Sequence, residues 1–337
     1  MLRKLVARFD AAVFNPAGVP DDVVLGLALA PPVAAGLLLF RLPALQMLGI
    51  ALLIGGIAHA LARLTRQPLE MSPVLPAVIG VALLGPGNMV WAPVVASAGV
   101  ILELIRARFL PLLRAQTGLL AYGAVFLAGH GATSGYLAPL TARILPEPIR
   151  VWLTYFGGAA QPVDPVRLYV GNVPGPVFAT SLMAVAVAAA WLWYARRLSL
   201  AVLAGFLAGG IGSALYFGWS PVFQLDSGPL WFAAVLLADR RLLPGLMPVR
   251  PFIGAAAGLA AVGVRSRGVA IEGAFLVVAG VQLLLGLGDG AAWAVMQRGA
   301  VIARLRGRRH PQPQLSLPAV IPRAAGEGST GARRRSA

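Results

Sequence analysis

The chain is 337 residues long, 58% hydrophobic and 12% charged, with a formal net charge of +16 and a mean hydropathy of +0.79. A soluble domain carries about twice that charged fraction, so a water-soluble enzyme is excluded. The absence of cysteine removes disulfides, thiolate metal sites, iron–sulfur clusters and cysteine nucleophiles on this chain.

The N-terminus, Met1 to Asp10, is short and charged, and a polar stretch at Asn15 to Asp22 follows it; it does not read as a cleaved signal peptide. Apolar segments then recur at 22–40, 42–62, 73–84, 89–105, 117–129, 177–195, 198–217, 228–238, 251–264 and 268–287. Roughly 20 residues span a bilayer core, where every backbone polar group needs an internal partner, so only helices or a closed barrel cross it. These segments lack the period-2 alternation of barrel strands and are rich in Leu, Ala, Val and Gly. The expectation is an all-α polytopic membrane protein of about ten transmembrane helices.

The basic residues sort these segments. Arg3, Lys4 and Arg8 precede the first, Arg63 and Arg66 follow the second, and Arg106, Arg108 and Arg114 follow the fourth. Arg196 and Arg197 follow the sixth, Arg240, Arg241 and Arg250 the eighth, and nine more lie between Arg298 and Arg335. The other side holds Arg41, Arg143, Arg150, Arg167, Arg265 and Arg267. Under the positive-inside rule the richer side is cytoplasmic, which places both termini there in a bacterial inner membrane. Since the bases punctuate apolar segments and do not interleave with aromatics, the partner is the lipid bilayer and not nucleic acid. His59, His130 and His310 are far apart and show no metal-ligand spacing, so no metal is expected.

Two segments are too short to cross. One runs from Ser72-Pro73 to Leu84-Gly85-Pro86, the other from Ser227-Gly228-Pro229 to Asp239. Ser before Pro reads as a helix start, with the hydroxyl as cap. Each is third in its half of the chain, and an odd number of spans per half inverts the second half. That is the pattern of an inverted repeat with discontinuous helices meeting around a transport site; two ordinary buried helices are the plainer reading. The expected organisation is a first five-helix repeat over 1–130, an external loop over 131–176, a second repeat over 177–303, and a disordered basic cytoplasmic tail over 304–337.

Leu168 to Ser181 reads LYVGNVPGPVFATS. This resembles the GNIPGSxGETS signature of the D subunit of Rnf-type electron transport complexes and of the related B subunit of sodium-pumping NADH:quinone oxidoreductases. Gly171, Asn172, Pro174, Gly175, Thr180 and Ser181 match, while Phe178 and Ala179 replace the motif's last Gly and Glu. Ser72 to Trp91, Gly228 to Asp239, and Glu272-Gly273 with Gln282 and Asp289 are similar to further segments of that family, in the same order. The family fold is ten helices in two inverted halves.

The resemblance implies FMN, bound in the family through a phosphoester to Thr in a D-x-x-[ST]-G-A-T sequence on the outer side. Here Gly131-Ala132-Thr133 stands about 40 residues before the GNVPG motif, with Leu127 in place of the Asp and His130 in place of Ser or Thr. Those departures weigh against covalent attachment at Thr133. The cofactor-binding candidates are therefore Thr133, Gly131, Ala132, Asn172 and Gly175, and the scaffold reads as better kept than the redox site. A carboxylate at the bilayer centre costs about 2.5–3.5 kcal/mol on insertion scales. Glu103, Asp239, Glu272 and Asp289 are thus the ion-path candidates. The spacing also offers Glu103 an ion pair with Arg106, Glu272 a pair with Arg265 or Arg267, and Asp239 and Asp289 solvation at helix ends. The implied function is a membrane subunit of an ion-translocating oxidoreductase complex, whose partner subunits supply the nucleotide chemistry. A small-solute channel or transporter on the same scaffold, or a non-catalytic anchor subunit, are the alternatives.

Overall fold

Helix α1 (Asp21–Phe40) opens the fold, and α2 (Leu42–Leu64), α3 (Val74–Ala82), α4 (Ala92–Phe109) and α5 (Thr117–Ala128) follow. A short α6 (Pro165–Val170) leads into α7 (Leu182–Tyr194), α8 (Leu200–Tyr216), α9 (Gly228–Leu237), α10 (Arg250–Ser266) and α11 (Glu272–Gly288). The computed structural model describes residues 19–66, 71–110, 113–129, 134–139, 143–148, 151, 164–219, 228–245, 247–267 and 271–288, all within one unit, Met1–Ala292. The basic tail from 304 onward lies outside the described residues. Among those described, helix falls on each of the ten apolar segments, and β-structure is limited to isolated bridges between Leu137 and Ile144 and between Leu198 and Asp239.

Local chemistry sets several helix starts. Asp21 and Asp22 occupy the first turn of α1, where carboxylates meet the positive end of the helix dipole. Pro43, Pro93, Pro165 and Pro251 sit in the first turns of α2, α4, α6 and α10, where a missing N–H costs nothing. The Ser181 hydroxyl accepts from Ala184 N at 3.3 Å and caps α7. Ser72 does not play that part for α3. Pro73 holds the cap position, and the Ser72 hydroxyl lies 3.3 Å from His59 Nδ1 instead. Ser227 lies outside the described residues.

Among the described residues, four helical stretches are long and apolar enough to cross a membrane: Asp21–Phe40, Leu42–Leu64, Met89–Phe109 and Met247–Ser266. The last two include short 3₁₀ turns ahead of α4 and α10. Twenty residues rise about 30 Å, the thickness of the hydrocarbon core. Leu52, Leu53, Ile57 and Leu61 of α2 are exposed together, a face suited to lipid and not to water. The class defined by length and composition is a helical membrane protein.

Two pairings organise the interior. Helices α1 and α7 run antiparallel: Trp191 Nε1 donates to Val24 O at 3.0 Å, and Gly36 near the far end of α1 lies against Val177 and Phe178. Helices α8 and α10 run parallel and touch backbone to backbone. Gly205 and Gly209 face the Pro251 and Ala255 carbonyls, and Gly254 and Gly258 face those of Val202 and Phe206. A Cβ at any of the four would fall inside van der Waals contact, so two Gly-x-x-x-Gly pairs are what permit the approach. Helices α3 and α9 have only nine and ten residues and are buried almost throughout.

Candidate functional site

The two short helices run in opposite senses and share their neighbours at both ends. At one end, Val177 N and Phe178 N donate to Leu84 O (2.8 Å) and Ala82 O (3.2 Å), satisfying carbonyls that the end of α3 leaves free. Gly228, the first residue of α9, packs against Thr180 O of the same segment. At the other end, Ser72 N, just ahead of α3, donates to Asp22 Oδ2 at 2.9 Å. Asp239, just past α9, is bound by Arg241, whose Nη1 also lies 3.5 Å from Asp21 Oδ2. Two adjacent acids of α1 thereby reach the start of one short helix and the end of the other.

Between them lies a cavity of about 30 Å³, walled by Ile79 of α3, Phe232 and Val235 of α9, Leu25 of α1 and Val185 of α7. Gln116, Arg197 and Asp239 supply its polar lining. That volume is room for about one water molecule, and the polar groups present are the kind a buried water needs.

The polar end is a connected network. Asp239 is 5% exposed, so it is not the solvated helix end that its position suggested. Its Oδ2 accepts from Gln116 Nε2 at 3.1 Å and from Arg241 Nη2 at 2.6 Å, and its Oδ1 accepts from Arg241 N at 3.1 Å. Asp21 bridges Arg241 and Arg197. Burial works against the Arg241 charge, but the hydrogen bonds and charges of Asp239 and Asp21 outweigh it and hold its pKa above the usual value. Gln116 N donates to Gln282 Oε1 at 3.0 Å, and Gln282 Nε2 donates to Leu236 O at 2.9 Å, which ties α11 to α9. The next residue, Thr117, donates to Glu103 Oε2 at 2.9 Å, and Glu103, fully buried, pairs with Arg106 at 2.7 Å. Glu103 and Asp239 are thus linked through Gln116-Thr117.

At the opposite end the segment Gly171 to Ser181 contains no charged residue. Gly171 has φ +91°, a conformation L side chains rarely adopt, and a Cβ there would meet the Ser181 backbone at 2.7 Å. A Cβ on Gly175 would meet Thr180 Oγ1 at 2.9 Å, and that hydroxyl donates to Pro176 O. Both glycines therefore serve the close packing of their own turn. Asn172 is exposed, with its N–H donating to Arg167 O at 2.8 Å. Gly131, Ala132 and Thr133 lie outside the described residues. Of the expected flavin set, the described residues are Asn172, whose side chain is exposed, and Gly175.

Glu272 is placed away from this network, ten residues before Gln282 on α11, or about 15 Å along the axis. Its partner is Tyr136, whose hydroxyl donates to Glu272 Oε1 at 2.6 Å, and not an arginine. Burial, then the Glu272 charge, pushes the Tyr136 phenol well above its ordinary pKa. Arg265, the expected partner of Glu272, pairs with Glu147 at 2.6 Å, and both are buried. Asp289 lies outside the described residues. Asp21, Asp22, Arg197 and Gln116 belong to the network although no sequence motif singles them out. Two acids opening an apolar run were the one signal available; the others depend on contacts across the fold.

No known protein-family model matches the chain, and no curated protein matches it.

Proposed function

We propose that this chain is the membrane subunit of an electron transport complex of the Rnf and sodium-pumping NADH:quinone oxidoreductase type, in which partner subunits carry electrons and an ion crosses between α3 and α9. The observation that carries this reading is that both short helices line one cavity, with a charged network at one end and the GNVPG turn at the other. In this reading α1–α5 and α7–α11 are inverted halves of a ten-span protein with both termini cytoplasmic. The antiparallel pairing of α1 with α7, the first helix of each half, supports it. So do the buried third helices. Asp21, Asp239 and Glu103 face the cytoplasm and exchange the ion, while the uncharged turn faces outward.

Purification of the tagged chain from its native membrane in mild detergent tests the assignment. A flavoprotein and an iron–sulfur subunit should copurify in fixed ratio. Recovery of the chain alone contradicts it. The apolar walls at Ile79, Phe232 and Val235 favour a second reading, a channel or transporter for a small neutral solute. Solute flux through vesicles holding only this chain would establish that alternative. Covalent flavin is not expected: with Leu127 where the flavin transferase reads Asp, the denatured protein should stay dark under ultraviolet light. A fluorescent band that Thr133→Ala abolishes would reverse that expectation.

A further inference from the structure

Beyond their glycine contact, α8 and α10 part to leave a groove of about 610 Å³ lined by Gly212, Ser213, Tyr216, Leu259, Gly263 and Arg267. A Cβ on Gly212 would meet nothing within 4 Å, so the missing side chain itself opens the trough. Most of the lining is apolar. Two members differ: Arg267 is exposed and makes no ion pair among the described residues, and Tyr216, which lines the same groove, is 84% exposed. Exposed tyrosine and arginine toward the ends of an apolar helix pair are the chemistry of a membrane interface. A groove of about 490 Å³ lies between α2 and α4, the second and fourth helices of the other half, lined by Ile57, Leu61, Ser97 and Ile101 with no charged residue. The two grooves occupy corresponding helix pairs and differ in the cation.

We infer that the α8–α10 groove holds one anionic phospholipid, its acyl chain along Gly212 and Gly263 and its phosphate on Arg267. The apolar trough takes the chain, and the exposed guanidinium selects the headgroup by charge. The α2–α4 groove takes an acyl chain without headgroup selection. The inference does not depend on the electron transport reading.

The test is native mass spectrometry of the full chain released from bilayer discs of equal parts phosphatidylglycerol and phosphatidylethanolamine. The wild type should retain phosphatidylglycerol in excess over the bulk ratio. Arg267→Gln should lower that excess about fivefold, the factor one basic residue contributes near an anionic surface. Gly212→Leu, which fills open space, should lower retention of the same lipid, while Ser97→Leu in the other groove should leave the excess unchanged. Retention at the bulk ratio in the wild type, as a partner helix in the groove would also give, overturns the proposal. An excess that survives Arg267→Gln overturns it as well.

Discussion

The two ends of the short-helix pair are closed by different chemistry. Gly171 to Ser181 contains no charged residue and seals its end with backbone hydrogen bonds and close-packed glycines. The opposite end is held by Asp21, Asp22, Arg197, Asp239 and Arg241. A backbone seal opens only if the main chain moves, whereas an ion-paired end reorganises by exchanging partners. Asp21 already contacts two arginines. In the proposed function, ion exchange would fall to the charged end and the GNVPG turn would be the fixed pivot.

The largest effect is expected at Asp239. Asp239→Ala leaves Gln116 without its acceptor and Arg241 with Asp21 alone, and should cost about 3 kcal/mol, the usual scale for breaking a buried pair by removing one partner. Thermal unfolding in detergent measures it. A cost below about 1 kcal/mol would mean that this end is solvated and that the contrast fails. Gly228→Ala probes the other end. Its Cβ would strike the Thr180 carbonyl, which is backbone and cannot rotate away, so a loss of about 1–3 kcal/mol is expected. Gly212→Ala, pointing into open space, should stay within about 0.5 kcal/mol in the same assay. Equal values for the two glycines would remove the packed seal. A smaller loss than at Asp239, about 0.5–1 kcal/mol, is expected for Ser72→Ala, because the hydroxyl contact to His59 is lost while the Ser72 N–H keeps Asp22.

Helix positions were legible because a bilayer demands long apolar runs, and prolines mark where they begin. The Glu103–Arg106 pair was legible too, since residues three apart on a helix are neighbours. The same habit of looking nearby misassigned Glu272: Arg265 and Arg267 are close in sequence, yet Tyr136 arrives from a loop 136 residues earlier. The bond between Gln116 and Asp239 spans 123 residues, and no local pattern announces it. At Ser72 the Ser-Pro pair marked the helix start correctly, but the hydroxyl found a ring nitrogen on α2 and left the cap position to Pro73. The Gly-x-x-x-Gly pairs of α8 and α10 are present in the sequence but do not stand out among its 40 glycines.

The central claim, an ion path between α3 and α9 driven by electron transfer in partner subunits, is tested most directly by ion uptake per electron in vesicles holding the purified complex. Asp239→Asn keeps an oxygen for Gln116 and removes the charge. Electron transfer should continue in this variant while ion uptake per electron falls at least several-fold. An unchanged ratio of ions to electrons would contradict it.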